Sequence, residues 1–182
     1  AAAATRGKIT VNNITPKHLD SISSKLREMG VEVEEHEDTL LVRRSGSLHR
    51  ANVKTLPYPG FPTDMQPQFA TLLCTCNGTS TVVEDVWDNR FKYIDQLRRM
   101  GANIIVNGDT ALITGVDKLR AAPVEADDLR AGAAMVIAGL MADGETTVGN
   151  IKLIDRGYEN LVEKLTAVGA DISRANFEDE KE

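Results

Sequence analysis

Five residues of this chain combine charge and spacing in a way that suits chemistry on an anion. Arg90, Arg130 and Arg156 fall at or near the expected starts of helices. A helix start already directs unpaired N–H groups and a partial positive charge outward, so an arginine there is mildly unfavourable on its own. It makes sense when an anion binds, because guanidinium, amides and dipole then converge on one charge. A single such arginine reads as a solvated surface residue, whereas three at related positions of a repeat make an anion site an equal reading. Asp64 and Asp128 stand 64 residues apart, each at the head of an apolar helical stripe. For both, the plain reading is helix capping, and Thr63-Asp64-Met65-Gln66 also fits a capping box. Asp64 has a second reading as a positioned general base. The run Leu56–Pro62 before it holds three of the six prolines, and a stiff loop of that kind delivers a carboxylate to a fixed place.

Other chemistry finds less support. Cys74 and Cys76 are two residues apart, which suits neither a zinc site nor a disulfide framework, and they fall inside an expected buried helix. His18, His36 and His49 are scattered in polar surroundings, so no nucleophile–His–acid arrangement can be argued. No glycine-rich phosphate loop of either standard pattern is present.

The elements that must position these residues recur. Gly7, Gly78 and Gly144 each precede a β-rich run, and Gly30, Gly101 and Gly169 each follow a helical stripe; the paired glycines lie 23, 23 and 25 residues apart. One supersecondary unit is therefore used three times. Met65, Phe69, Leu72, Leu73 and Cys76 form a stripe at helical period, and Leu129, Ala133, Val136, Ile137 and Leu140 repeat it. Second helices follow through Leu19–Met29, Phe91–Met100 and Tyr158–Val168, with Thr15-Pro16, Asp88-Asn89 and Asp155 as expected starts. Asn107-Gly108 between apolar runs predicts a hairpin. A further strand is expected near Ala170–Arg174, without a partner after it, and the acidic stretch 177–182 is expected to be disordered. Ala1–Thr5 reads as the last turn of a helix, so both ends look like parts of a longer protein. Residues 1–176 make most of one domain, in units of about 1–55, 56–120 and 121–176.

The 182 residues carry a formal charge of −6, with 42% apolar and 26% charged residues. This fits a soluble protein large enough for a sizeable core. The acidic balance without a basic run argues against nucleic acid, and no apolar run is long enough to cross a membrane. The expected location is the cytoplasm.

At these residues the chain resembles a known family. Phe61-Pro62-Thr63-Asp64-Met65-Gln66, Asp88-Asn89-Arg90-Phe91, Leu97–Ala102, Asp128-Leu129-Arg130-Ala131 and Ile154–Glu159 are similar to the C-terminal portion of the UDP-N-acetylglucosamine enolpyruvyl transferases. The resemblance runs in order along nearly the whole chain. It implies an α/β fold of the inside-out barrel type, three repeated helix–strand units with helices inside and sheets outside. It also implies transfer of the enolpyruvyl group of phosphoenolpyruvate to the 3-hydroxyl of UDP-N-acetylglucosamine, the first committed step of bacterial peptidoglycan synthesis, and no metal or organic cofactor. Asp64 would take the hydroxyl proton and Asp128 would assist proton transfer at the methylene. Arg130 and Arg156 would bind the phosphoenolpyruvate anion, and Arg90 would add charge, through a salt bridge to Asp128. Val86 and Trp87 would line the uridine side. The rest of the enzyme, including its other domain, would precede Ala1. The alternatives are the shikimate-pathway relative and a non-catalytic ligand-binding lobe.

Overall fold

A computed structural model describes residues 1–175 of the 182-residue chain; the acidic stretch 177–182 lies outside the described residues. The first unit holds β1 (Lys8–Asn12), α1 (Asp20–Glu28), β2 (Glu32–Glu35) and β3 (Thr39–Arg43), in an antiparallel sheet of order β1-β3-β2. The second holds β4 (Val53–Lys54), α2 (Gln66–Leu73), β5 (Thr79–Val83), α3 (Ile94–Arg99), β6 (Asn103–Asn107) and β7 (Thr110–Thr114), with sheet order β4-β5-β7-β6. The third holds β8 (Val124–Glu125), α4 (Leu129–Met141), β9 (Val148–Gly149), α5 (Lys152–Asp155) and α6 (Leu161–Ala167). The short strands β4 and β8, absent from the sequence reading, lie parallel to β5 and β9. Each makes a β–α–β crossover whose helix packs inward.

The repeat rests on backbone chemistry. Gly30, Gly101 and Gly169 adopt φ of 86°, 88° and 97°. The amide after each returns to a carbonyl five residues back: Val31 to Leu26, Ala102 to Leu97 and Ala170 to Leu165, all 3.0 Å. These are Schellman closures, and the left-handed residue they need explains the three glycines. Arg27 and Arg98 then each donate twice to a strand carbonyl, Val33 O and Ile104 O, clamping the second helix of a unit to its sheet. The expected hairpin forms with Asn107 opposite Thr110, so Gly108 and Asp109 are the two turn residues.

All eight residues of α2 are buried, and it packs against α4 with the sheets around them. Helices inside and sheets outside is therefore the observed layering. The described sheets remain separate and close no barrel.

Several expectations are corrected. The helix of the second unit stops at Leu73, so Cys74 is its C-cap and Cys76 follows it, both still buried. In α4 the buried residues are Ala131, Gly132, Ala133, Ala134, Met135 and Ala138; of the expected stripe Ala133 is buried, whereas Leu129, Val136, Ile137 and Leu140 are half-buried. No strand forms at Ala170–Arg174, because no neighbouring strand is present among the described residues to share its hydrogen bonds. Without that sheet α6 has nothing to lie on: it buries no residue, and Val168 is 57% exposed.

Candidate functional site

The two aspartates at equivalent repeat positions do different things. Asp128 is the N-cap of α4: its Oδ1 accepts from the amides of Arg130 (2.7 Å) and Ala131 (2.8 Å). Asp64 caps nothing. It sits in a 3-10 turn, Thr63–Met65, whose N-cap is Pro62, and no side-chain cap bond is made. Pro62 lacks the extended hydroxyl or carboxylate needed to cap, and Thr63 turns its hydroxyl elsewhere. The Asp64 carboxylate is therefore free to face two arginines: Arg130 Nη2 donates to Oδ2 at 2.7 Å and Arg90 Nη2 to Oδ1 at 3.4 Å. The expected pairing of Arg90 with Asp128 is corrected accordingly. Asp128 already spends one oxygen on the helix amides, while Asp64 stands between the two guanidinium groups.

The cluster carries one negative and two positive side chains. Arg90 is 19% exposed, holds its one acceptor at long range, and its Nε is buried without a hydrogen-bond partner among the described residues. Such an arginine has donors left for an incoming anion. Arg130 is held above its ordinary pKa, first by the Tyr158 hydroxyl and further by the charge of Asp64, against burial that lowers it. Tyr158 also receives a hydrogen bond from Gln68 of α2 at 3.4 Å. Partial desolvation, with the neighbouring Asp128 next, raises the carboxyl of the exposed Asp127 above its ordinary value.

Arg156 does not start a helix; it is the C-cap of the short α5. The segment reaches the cluster by a close approach: a Cβ on Gly157 would lie 2.6 Å from Leu129 Cδ2, so the glycine lets Arg156–Tyr158 pass the first turn of α4 without displacing that side chain. Arg156 lines a cavity of about 370 Å³ with Tyr158, Asn160 and the Asp155–Arg174 ion pair. It makes no ion pair among the described residues. Asp155, expected to cap the second helix of this unit, instead ends α5; the Asp88-Asn89 start is likewise a turn, with Asn89 at φ 55° and α3 beginning only at Ile94. A larger cavity of about 610 Å³, lined by His49, Arg50 and Asn77, contains none of the five residues.

Val86 and Trp87 project from the turn after β5, 40% and 62% exposed, and Tyr58 of the proline-rich loop is 73% exposed. What joins these loops was missed in the sequence. Glu84 is buried, and its carboxylate accepts from the Thr55 and Thr63 hydroxyls and from the Val86 and Trp87 amides. A signal existed: Ser80, Val82 and Glu84 share the inward face of β5 at period two, so a glutamate falls at a core position. Among the described residues no cluster of His, Cys, Asp and Glu suits a metal, and no helix is long and apolar enough to cross a membrane.

Comparison with known proteins bears on this geometry. Residues 1–165 match the family model of EPSP synthase (3-phosphoshikimate 1-carboxyvinyltransferase). A UDP-N-acetylglucosamine 1-carboxyvinyltransferase of Desulfofundulus thermocisternus is 55% identical over 98% of this chain and 74% of its own length. A second enzyme of that name from Geobacillus kaustophilus is 54% identical over the whole chain, which spans 42% of that relative. Among solved structures, the enolpyruvyl transferase NikO from Streptomyces tendae superimposes with a TM-score of 0.82 at 27% identity, over 90% of this chain and 39% of its own. EPSP synthase from Acinetobacter baumannii, at TM-score 0.74 and 15% identity over 95% of this chain and 45% of its own, shares the fold.

Proposed function

Because the chain belongs to the EPSP synthase family and, within it, to the UDP-N-acetylglucosamine 1-carboxyvinyltransferases, we propose that it forms one face of a site that moves the enolpyruvyl group of phosphoenolpyruvate onto the 3-hydroxyl of UDP-N-acetylglucosamine. The observation that carries this reading is the release of Asp64 from capping duty and its suspension between Arg90 and Arg130. Asp128, by contrast, spends one oxygen on capping α4 and keeps the other free.

In this reading the hydroxyl oxygen bonds to C2 of phosphoenolpyruvate while its proton passes to Asp64. The methylene takes up a proton, assisted by the Asp128 oxygen not engaged with the α4 amides, and becomes a methyl group. Phosphate then leaves C2 with its bonding pair as a proton leaves the methyl, restoring the double bond. Arg130 and Arg156 hold the carboxylate and phosphate, and Arg90 adds positive charge where negative charge collects. Val86 and Trp87 border the nucleotide. The remaining groups of the site come from residues outside this chain, in the rest of the same enzyme, and the setting is the bacterial cytoplasm and cell-wall synthesis.

The test is phosphate release by the full-length protein from phosphoenolpyruvate with either UDP-N-acetylglucosamine or shikimate 3-phosphate as acceptor. Release is expected only with the UDP-sugar. Release with shikimate 3-phosphate would move the chain to the other branch, and release with neither would leave a binding lobe. Arg130→Ala and Arg156→Ala should raise KM for phosphoenolpyruvate by about ten- to a hundredfold, since hydrogen bonds to charged groups contribute ~1.5–3 kcal/mol.

A further inference from the structure

Among the described residues Glu84 is the only buried carboxylate, and it has no cationic partner. A buried charge without a counter-ion is costly unless hydrogen bonds replace its hydration. Here four donors do so: Thr55 Oγ1 at 2.8 Å, Thr63 Oγ1 at 3.0 Å, and the amides of Val86 and Trp87 at 3.1 Å each. Thr55 Oγ1 in turn accepts from the Asp85 amide at 2.9 Å. The donors come from three separate stretches: the end of β4, the residue immediately before Asp64, and the turn carrying Val86 and Trp87. A neutral side chain of the same size could fill the space, but no apolar side chain could tie three backbone segments to one point.

We infer that Glu84 is a positioning residue for the site: by holding Thr63 and the Val86–Trp87 amides on one carboxylate, it sets Asp64 between Arg90 and Arg130 and fixes the spacing of the Val86–Trp87 turn from it. The inference rests on the transferase reading above. Asp64 has no cap bond of its own, and its carboxylate is 53% exposed. Its backbone is therefore anchored through its neighbours, Thr63 on one side and the buried Gln66 of α2 on the other. Loss of the Thr63 tether leaves the carboxylate in reach of both arginines but no longer held at one distance from the nucleotide side.

The decisive variant is Thr63→Val, in the full-length protein. It keeps the shape of Thr63, removes the one donor that reaches Glu84 Oε2, and leaves the three donors to Oε1 in place. Because a misplacement of about 1 Å can cost ~10²-fold in rate, kcat is expected to fall by roughly ten- to a hundredfold at a temperature where the variant stays folded, with the melting temperature lowered by a few degrees for the acceptor left unpaired. Thr63→Ser, which restores the hydroxyl, should recover most of the rate. In an Asp64→Asn background Thr63→Val should cause no further loss, because the residue it positions no longer takes a proton. An unchanged kcat in Thr63→Val, or losses that multiply in the double variant, would overturn the positioning role while leaving the transferase reading intact. If the unsubstituted protein releases no phosphate with UDP-N-acetylglucosamine, the transferase reading fails, and the positioning role falls with it. Glu84→Ala should reproduce the Thr63→Val loss if it folds; if it does not, Thr63→Val alone decides.

Discussion

Replacing each of the two repeat-related aspartates should separate a residue whose loss costs helix stability as well as chemistry from one whose loss costs chemistry alone. Asp128→Ala deletes an N-cap whose oxygen accepts from two amides at 2.7 and 2.8 Å. Losing such a cap costs ~0.5–2 kcal/mol, and for a chain of 182 residues each kcal/mol moves Tm by about 2–4 °C. The expected fall in Tm is thus about 1–8 °C. Asp64→Asn removes no cap. It neutralises a half-exposed carboxylate paired with Arg130 and Arg90, and ion pairs of that exposure contribute ~0.2–1 kcal/mol, or at most about 4 °C. Its amide oxygen still accepts a hydrogen bond from a bound hydroxyl, but it cannot take the proton. General-base assistance is worth ~10²–10⁴-fold, so turnover should fall by at least about 10²-fold while UDP-N-acetylglucosamine still binds. Thermal melts, calorimetric titration with the UDP-sugar and a phosphate-release assay on one preparation give all three numbers. Near-normal turnover in Asp64→Asn, or a loss of Tm in that variant well above about 4 °C, would refute the reasoning.

Other outcomes follow from the packing. Gly115→Ala should prevent stable folding, since its Cβ would overlap the Cys76 carbonyl oxygen, whereas Gly101→Ala, with open space but φ 88°, should cost only ~1–2 kcal/mol; urea unfolding compares them. Cys74 and Cys76, their thiols pushed up to about 12 chiefly by burial, should not react with a thiol reagent at neutral pH until the protein is unfolded, when both should label. Asp127→Asn should stabilise the protein at neutral pH. The folded carboxyl is raised by partial desolvation, so its ionised form opposes folding above that raised value; the gain should vanish as pH falls below the ordinary carboxylate range, which melts across pH would track.

Much of this protein is written in local spacing. The three glycines that close second helices do so because only a left-handed residue completes the Schellman bonds, a requirement set within six residues of chain. The hairpin at Gly108 and the burial of α2 likewise follow from short-range pattern. So does an Asp after a proline-stiffened loop, whereas of the three arginines expected at helix starts only Arg130 lies at one. What local pattern could not decide was which partner each charged group would find. Asp64 and Asp128 look alike in the sequence, and only the fold makes one a cap and the other the acceptor of Arg90 and Arg130, because those contacts span 26 and 66 residues. Helix α4 buries four alanines and Met135 while most of its expected stripe stays half-buried, because the elements packed around it, not its own period, decide which face is covered. The strand expected at Ala170–Arg174 does not form, since a strand exists only with a neighbour to bond. Glu84 shows the same division: its inward phase on β5 is legible at period two, but the four donors that make a buried charge tolerable come from three stretches that meet only in the tertiary structure.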